Sequence, residues 1–310
     1  MSALICGSFA FDQIMVFPDH FKNHILPEKV HILNVSFMVP EMRREFGGCA
    51  GNIAYNLKLL HGQGVPMGTV GKDFDSYAKW MDAKGVVRDH VKVIDDVFTG
   101  QAFITTDLDD NQIIAFHPGA MSFSHENKVS DANDITLGII SPDGRDGMIQ
   151  HAAQFHEAGT PFIFDPGQGM PMFNGDELKV FIEQASWVCV NDYEWEMMQK
   201  HTGYSPHEVA ELTKALIITR GAEGAVIYTS NKQYSIPVAK AEKLVDPTGC
   251  GDAFRAGLLF GLMNDLDWES TGRLAALMGS IKIEHHGTQN HAFDDTYLKN
   301  RFKDSFGFDL

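Results

Sequence analysis

The residues with the most chemistry in this chain lie close together near its C-terminal end: Asp246-Pro247-Thr248-Gly249-Cys250-Gly251-Asp252-Ala253-Phe254-Arg255-Ala256-Gly257. The spacing predicts a strand ending near Val245 and an apolar helix beginning near Asp252. Gly249 and Gly251 leave backbone N–H groups unobstructed at a helix N-terminus, which is a ready anion site. Asp252 there reads in two ways. It is a helix N-cap, or it is a carboxylate beside an anion cradle, as phosphoryl transfer to an alcohol requires. In the second reading the amides stabilise charge on the transferred group while Asp252 takes the hydroxyl proton. A second stretch, Phe46-Gly47-Gly48-Cys49-Ala50-Gly51-Asn52, reads as a tight turn with an N-cap, or as a backbone-lined floor for a hydroxylated substrate. In the floor reading Asn52 supplies both a donor and an acceptor.

Other polar groupings carry less. His285, His286 and His291 have no zinc spacing, so loop or surface histidines are expected. Asp107, Asp109, Asp110 and Asn111 resemble half a calcium loop but lack its Gly and distal Glu, so a solvated turn is expected. Neither G-x-x-x-x-G-K-[ST] nor a G-x-G-x-x-G after the first strand occurs, which argues against a P-loop NTPase and a dinucleotide dehydrogenase. Gly167-Gln168-Gly169 reads as a loop, or as one whose Gln168 meets a nucleobase edge.

These stretches need a scaffold. Short apolar runs at residues 3–6 (ALIC), 67–70, 161–164 (PFIF), 187–190 (WVCV) and 216–219 (LIIT) are of the continuous kind found in parallel strands. Residues 51–61 have helical spacing. Ser205-Pro206-His207-Glu208 is a capping box with Pro at the first helical position. The alternation predicts an α/β, doubly wound, mostly parallel sheet with helices on both faces. Two segments break the rhythm. Residues 30–39 (VHILNVSFMV) alternate like a half-exposed strand, and 100–106 with 112–116 flank a polar turn, as in a hairpin. They suggest a small antiparallel sheet. The Phe-rich residues 301–310 are expected to dock on the body.

Composition bounds the rest. The chain has 310 residues, with 25 Lys and Arg against 41 Asp and Glu for a net charge of −16, and 44% are hydrophobic. It can bury a large core, and its acidity disfavours nucleic acid as a general partner. Four cysteines are too few for a disulfide scaffold. No apolar run approaches the roughly 20 residues of a membrane span, and the N-terminus lacks a signal-peptide pattern. A reducing cytoplasm is the expected location.

Taken together, Gly47–Asn52 and Asp246–Gly257, about 200 residues apart, resemble the two signature motifs of the PfkB (ribokinase-like) family of ATP-dependent kinases. Asn191-Asp192-Tyr193-Glu194 resembles its N-x-x-E motif, and Thr219-Arg220-Gly221-Ala222-Glu223-Gly224 the turn that receives the nucleotide. The resemblance spans nearly the whole chain. It implies one α/β kinase domain over 1–310 with a β-rich lid from segments near 13–39 and 97–118. The segments IIAFHPGAM (113–121) and FDPGQG (164–169) are most similar to bacterial nucleoside and adenosine kinases. The activity so implied is transfer of the ATP γ-phosphate to the 5′-hydroxyl of a ribonucleoside such as adenosine, inosine or guanosine.

Carried over by position, Asp252 matches the catalytic base, and Gly249, Cys250 and Gly251 the anion hole. Cys250 stands where sugar-kinase members commonly have Ala, but the contact there is through its amide. Asp12, Gly47, Gly48 and Asn52 match the ribose-binding positions, while Phe116, Met121 and Gln168 fall where a base would sit. Asn191, Thr219, Gly221 and Gly224 match ATP-binding positions, and Glu194 acts indirectly on Mg2+. Asp246 and Thr248 match positions that help bind a monovalent cation, K+ in many members. The implied partners are nucleoside and ATP, without nucleic acid or membrane, and at most a second copy in a homodimer. Two other readings stay open: a ribokinase- or fructokinase-like sugar kinase, and a nucleotide-sensing protein with a dead site. The intact Asp252 and cradle glycines speak against the last.

Overall fold

The computed structural model describes every residue except Leu33 and Asp110, with the side chains of residues 28–30 also outside the description. Two sheets are built. The larger has nine strands, which in chain order are β1 (Ser2–Cys6), β4 (Gln63–Gly71), β5 (His90–Ile94), β8 (Ile135–Ile140), β9 (Phe162–Phe164), β10 (Trp187–Asn191), β11 (Ala215–Thr219), β12 (Ala225–Tyr228) and β13 (Gln233–Ile236). Their spatial order is β13-β12-β11-β10-β9-β8-β1-β4-β5. Pairing is parallel from β11 through β5, and β12 and β13 add an antiparallel edge.

The continuous apolar runs follow from burial on both faces. In β1, Ala3 and Ile5 enter one core while Leu4 and Cys6 enter the other. Helices α1 (Cys49–Leu59), α2 (Asp75–Lys84), α7 (Cys250–Met263) and α8 (Trp268–Ile283) supply the first core. Helices α3 (Arg145–Glu157), α4 (Gly175–Gln184), α5 (Asp192–Thr202) and α6 (Pro206–Leu212) supply the second. The expected capping box starts α6, with the Ser205 side chain accepting from Glu208 N. Helix α9 (Asp295–Phe306) buries Leu298 and Phe302 against α7 and α8, with Phe306 and Phe308 beside them, as expected of a docked end. Among the described residues no helix is long and apolar enough to cross a membrane.

The smaller sheet, in the order β3-β2-β6-β7, comprises β2 (Ala10–Val16), β3 (Glu41–Gly47), β6 (Gly100–Thr106) and β7 (Gln112–His117). The hairpin of β6 and β7 is as expected. The sheet is mixed rather than antiparallel throughout, because β2 runs parallel to β6, Ala10 facing Gly100. The strand expected at 30–39 is not formed by its described residues, and Leu33 lies outside the description. Pro27–Ile32 is a 3-10 helix and 34–39 is irregular. Phe37 anchors that segment by its ring, 4.8 Å from Phe17 and 5.0 Å from Phe21 between centroids. The partner of β2 is instead β3, whose sequence EMRREFG has charges on both faces and therefore no alternation to read. No strand ends near Val245 either. Its amide, like that of Asp246, donates to the Ile283 carbonyl at the end of α8.

Candidate active site

Strand order reverses between β1 and β8: from β1 the chain builds outward through β4 and β5, then returns to build through β8 to β11. In open α/β sheets such a switch point leaves a crevice at the carboxyl ends of the strands. Ser8, Ser141, Asp165, Asn191 and Thr219 all lie at or just beyond those ends. The smaller sheet springs from the same edge, β2 beginning four residues after β1 ends.

Helix α7 begins earlier than the sequence suggested. Gly249 is its N-cap, with a left-handed backbone (φ 76°), so Asp252 is the third residue of the first turn and does not cap. Its carboxylate is turned to another use. Asn52 Nδ2 donates to Asp252 Oδ2 at 2.8 Å, joining two helices across 200 residues of sequence. Asn52 is likewise inside α1 rather than at its cap, which is Gly48. Its amide orientation is set from behind: Gln289 Nε2 donates to Asn52 Oδ1 at 2.9 Å, and Trp80 Nε1 donates to Gln289 Oε1 at 3.1 Å. Gln289 also donates to the Tyr77 hydroxyl, which donates to the Gly47 carbonyl at 2.9 Å. A fixed acceptor face on Gln289 dictates which end of Asn52 meets Asp252. Burial raises the Asp252 pKa to about 6; the Asn52 hydrogen bond opposes the rise and the Asp165 charge adds to it.

The turn beside it is shaped by small residues. A Cβ at Gly251 would meet only the Arg255 guanidinium at 3.3 Å, so its outer face is open. At Gly249 a Cβ would press on the Thr288 side chain at 2.8 Å. Among the described residues the Gly251 and Asp252 amides find no backbone acceptor outside the helix, whereas Cys250 N already donates to Pro247 O at 3.2 Å. The open donors of this helix start are therefore not those of Cys250. Arg255 Nη2 donates to Asp165 Oδ1 at 2.9 Å in a buried ion pair, placing a cation one helical turn below the cradle.

Asp12 on β2 lies against Gly47, where a Cβ would come within 2.7 Å of Asp12 Oδ2. Burial first, then the charges of Asp246 and Glu45, raise its pKa to about 6. Gly48 (φ 87°) lets α1 start against the Phe9 backbone, 2.5 Å from any Cβ. Phe116 on β7 and Gln168 are exposed, and Met121 is half-buried; among the described residues none of them hydrogen-bonds to the Asp252–Asn52 network. Asn191 and Glu194 form a reciprocal capping box on α5, Asn191 N donating to Glu194 Oε2 at 2.8 Å. Burial raises the Glu194 pKa, and Asp165 adds to the rise. Thr219 ends β11, and the turn after it closes through Arg220 N to Gly224 O at 2.7 Å. Gly221 (φ 50°) has open space around it, while Gly224 (φ 84°) abuts the Ile236 carbonyl.

Asp246 does not stand free. Its carboxylate accepts from Thr248 N and Gly287 N, both at 2.9 Å, and its carbonyl accepts from Lys282 Nζ at 2.7 Å. Thr248 itself is exposed. Of the histidines expected in loops, His291 is fully buried, its Nε2 2.7 Å from Asn56 Oδ1. Asp107 is not solvated either; it accepts amides from Phe21, Asp109 and Asn111, while Asp110 lies outside the described residues. Gln289, Tyr77, Trp80 and Lys282 lie in no local motif, while Arg255 and Asp165 lie within the stretches 246–257 and 164–169 without a role of their own being legible there. Arg255, the one basic residue of α7, is the signal that a buried anionic partner was needed.

The family profile described as pfkB family carbohydrate kinase matches residues 12–295. The chain belongs to this family. Within the pfkB family it is 31% identical over 266 residues to the nucleoside kinase of Methanocaldococcus jannaschii, covering 85% of this chain and 87% of that one. Among solved structures, the nucleoside kinase of Burkholderia thailandensis in complex with inosine is 51% identical, with a TM-score of 0.91 over 99% of both chains. The same kinase in complex with ADP-inosine is 52% identical, with a TM-score of 0.88 over 99% of this chain and 97% of that one. The two-sheet architecture described above is thus the ribokinase-like one.

Proposed function

We propose that this protein is an ATP-dependent ribonucleoside kinase, transferring the γ-phosphate to the 5′-hydroxyl, with Asp252 as general base. The observation that carries this reading is the Asp252–Asn52 contact at the open start of α7. One carboxylate oxygen is held by Asn52, which leaves the other to accept the hydroxyl proton. A base with a pKa near 6 is ionised at neutral pH yet still basic enough to be useful. As the 5′-oxygen bonds to phosphorus, the bond from the γ-phosphorus to the bridging oxygen breaks and ADP departs, the proton remaining on Asp252. The amides of Gly251 and Asp252, reinforced by the helix dipole, stabilise the charge on the transferred group.

Asp12 and Asn52 hold ribose hydroxyls in this reading. The exposed Phe116 and the Met121 thioether offer faces for a base, and Gln168 an edge hydrogen bond. The turn 219–224 and Asn191 receive ATP. The half-buried Glu194 carboxylate, its pKa raised by burial and then by the Asp165 charge, would be relieved by a cation, which fits Mg2+ carried with the phosphates. When bound, Mg2+ neutralises charge on the phosphoryl oxygens. The smaller sheet serves as a lid that excludes water. Nucleotide substrates and the buried thiols Cys6 and Cys189 suit a reducing cytoplasm.

The test is catalytic efficiency with Mg-ATP on inosine, adenosine and guanosine against free ribose and fructose. Stacking a base is worth roughly 1–3 kcal/mol, so a nucleoside preference of about tenfold to a hundredfold is expected. Faster turnover of ribose or fructose would replace the nucleoside assignment with a sugar kinase, and absence of any turnover would leave a sensing protein.

A further inference from the structure

Lys282, the penultimate residue of α8, is fully buried. Lysine is almost never so placed unless its charge is paired. Its ammonium donates to the Asp246 carbonyl at 2.7 Å and to the His285 carbonyl at 3.3 Å, and stands 4.0 Å from Asp246 Oδ1. The oxygens that gather around it come from two segments pinned to each other. Val245 N and Asp246 N donate to the Ile283 carbonyl, and Gly287 N donates to the Asp246 carboxylate. A single positive charge held by two carbonyl oxygens, with a carboxylate oxygen 4.0 Å away, sits among the oxygen donors that a hard metal cation also takes. Here a side chain supplies it. Asp246 and Thr248 therefore do not fit K+ in the way the family resemblance implied: the Asp246 carbonyl is already taken, both its carboxylate oxygens accept amides, and the Thr248 side chain is engaged with that same carboxylate.

The position gives the charge a use. Asp246 opens the turn whose other end is Gly249, the N-cap of α7, and the Cys250 thiol lies within reach of the Lys282 charge. A fixed cation behind the turn holds its first carbonyl inward, which leaves the Gly251 and Asp252 amides as the open donors, and its field adds to that of the helix N-terminus. We propose that Lys282 is a resident cation for this turn, a positioning residue that stands in for a monovalent metal ion and makes the protein independent of K+. This rests on the kinase reading only for its kinetic consequences.

The experiment compares wild type with Lys282→Ala in potassium chloride and in tetramethylammonium chloride at equal ionic strength. Two quantities are read, the unfolding temperature and the kcat and KM of nucleoside phosphorylation. Wild type should turn over equally in both salts, and K+ should not stabilise it specifically. Lys282→Ala, with the oxygen shell intact and the ammonium gone, should lose about 10²-fold in kcat without K+, as for loss of one preorganised charge contact. K+ should restore most of that kcat, with little change in KM, and raise the variant's unfolding temperature. Rescue by K+ is a response that a purely packing role for Lys282 would not give. Wild-type turnover that collapses without K+, K+-specific stabilisation of wild type, or a Lys282→Ala protein indifferent to K+ in both readouts would each overturn the proposal. The wild-type measurements decide even if the variant does not fold. The unfolding comparison needs no turnover, so it stands whether or not nucleosides prove to be substrates.

Discussion

A single hydrogen bond separates the two roles open to Asp252. A capping carboxylate would accept the amides of its own helix; this one accepts the side chain of Asn52 instead. Asp252→Asn can keep the Asn52 contact, so the fold should persist by circular dichroism and unfolding temperature. Its kcat should fall by about 10²–10⁴, the usual contribution of a general base. Turnover within a factor of a few of wild type would remove Asp252 from the mechanism. Titration gives a second handle, because both Asp252 and Asp12 are held near pKa 6 chiefly by burial. Since kcat/KM reports groups in the free enzyme, its logarithm should fall with a slope approaching two as pH drops below about 6. Asp12→Asn should reduce that slope to one. Stability moves the other way. Carboxyls with raised folded pKa values bind protons more tightly in the native state, so these two groups favour folding as pH falls from 6 towards 4. Activity lost at pH 5 should therefore come with no drop in unfolding temperature from them. Asp107, where amide hydrogen bonds outweigh burial and hold the pKa at about 2, loses its contribution only at lower pH. The glycine and aspartate spacings were readable because each lies within one turn of chain. Gln289, Trp80 and Tyr77 were not, because their use depends on neighbours more than 200 residues distant.

Among the elements, the start of α7 carries the sharpest expectation. Gly251→Val places a branched side chain on the open face of the cradle, its Cβ meeting only the Arg255 guanidinium. The variant should fold with little change in unfolding temperature while turnover falls on the order of 10²–10³, as when an oxyanion donor is blocked. Full activity in a folded Gly251→Val protein would move the phosphate elsewhere. The buried strands of the main sheet were legible from their continuous apolar runs, to within a residue or so for β1, β10 and β11. The smaller sheet was only half legible. Its strand β3 (EMRREFG) exposes most of its length, and with neither face buried the period of two never enters the sequence. Residues 30–39 showed the opposite failure: they alternate in sequence, yet the described stretch 34–39 joins no ladder and Phe37 makes ring contacts with Phe17 and Phe21. The capping box at Ser205 was read correctly because its signal is wholly local.

For the molecule as a whole, the question is whether the smaller sheet moves as a cover. The chain enters it after β1 and after β5 and leaves it into α1 after β3 and towards β8 after β7, and all six residues of β7 are exposed. A kinase must keep water from the phosphoryl group, so saturating nucleoside should slow amide hydrogen exchange across 10–16, 41–47, 100–106 and 112–117. Unchanged exchange in all four strands would end the lid assignment.

The wiring of the site also bears on how the chain is made. Asn52 meets Asp252, Tyr77 meets Gln289, and Phe46 O accepts from Thr288, each pair more than 190 residues apart. Contacts of such sequence separation carry the largest loop-closure cost and form late. A ribosome releases the N-terminal half first, and that half holds the proposed substrate floor but neither the proposed base nor the proposed anion cradle. On the proposed mechanism a nascent chain cannot transfer phosphate until the segment from Asp246 to Gln289 has been made and packed against residues 46–80, so that catalytic competence reports on the closure of these long-range contacts.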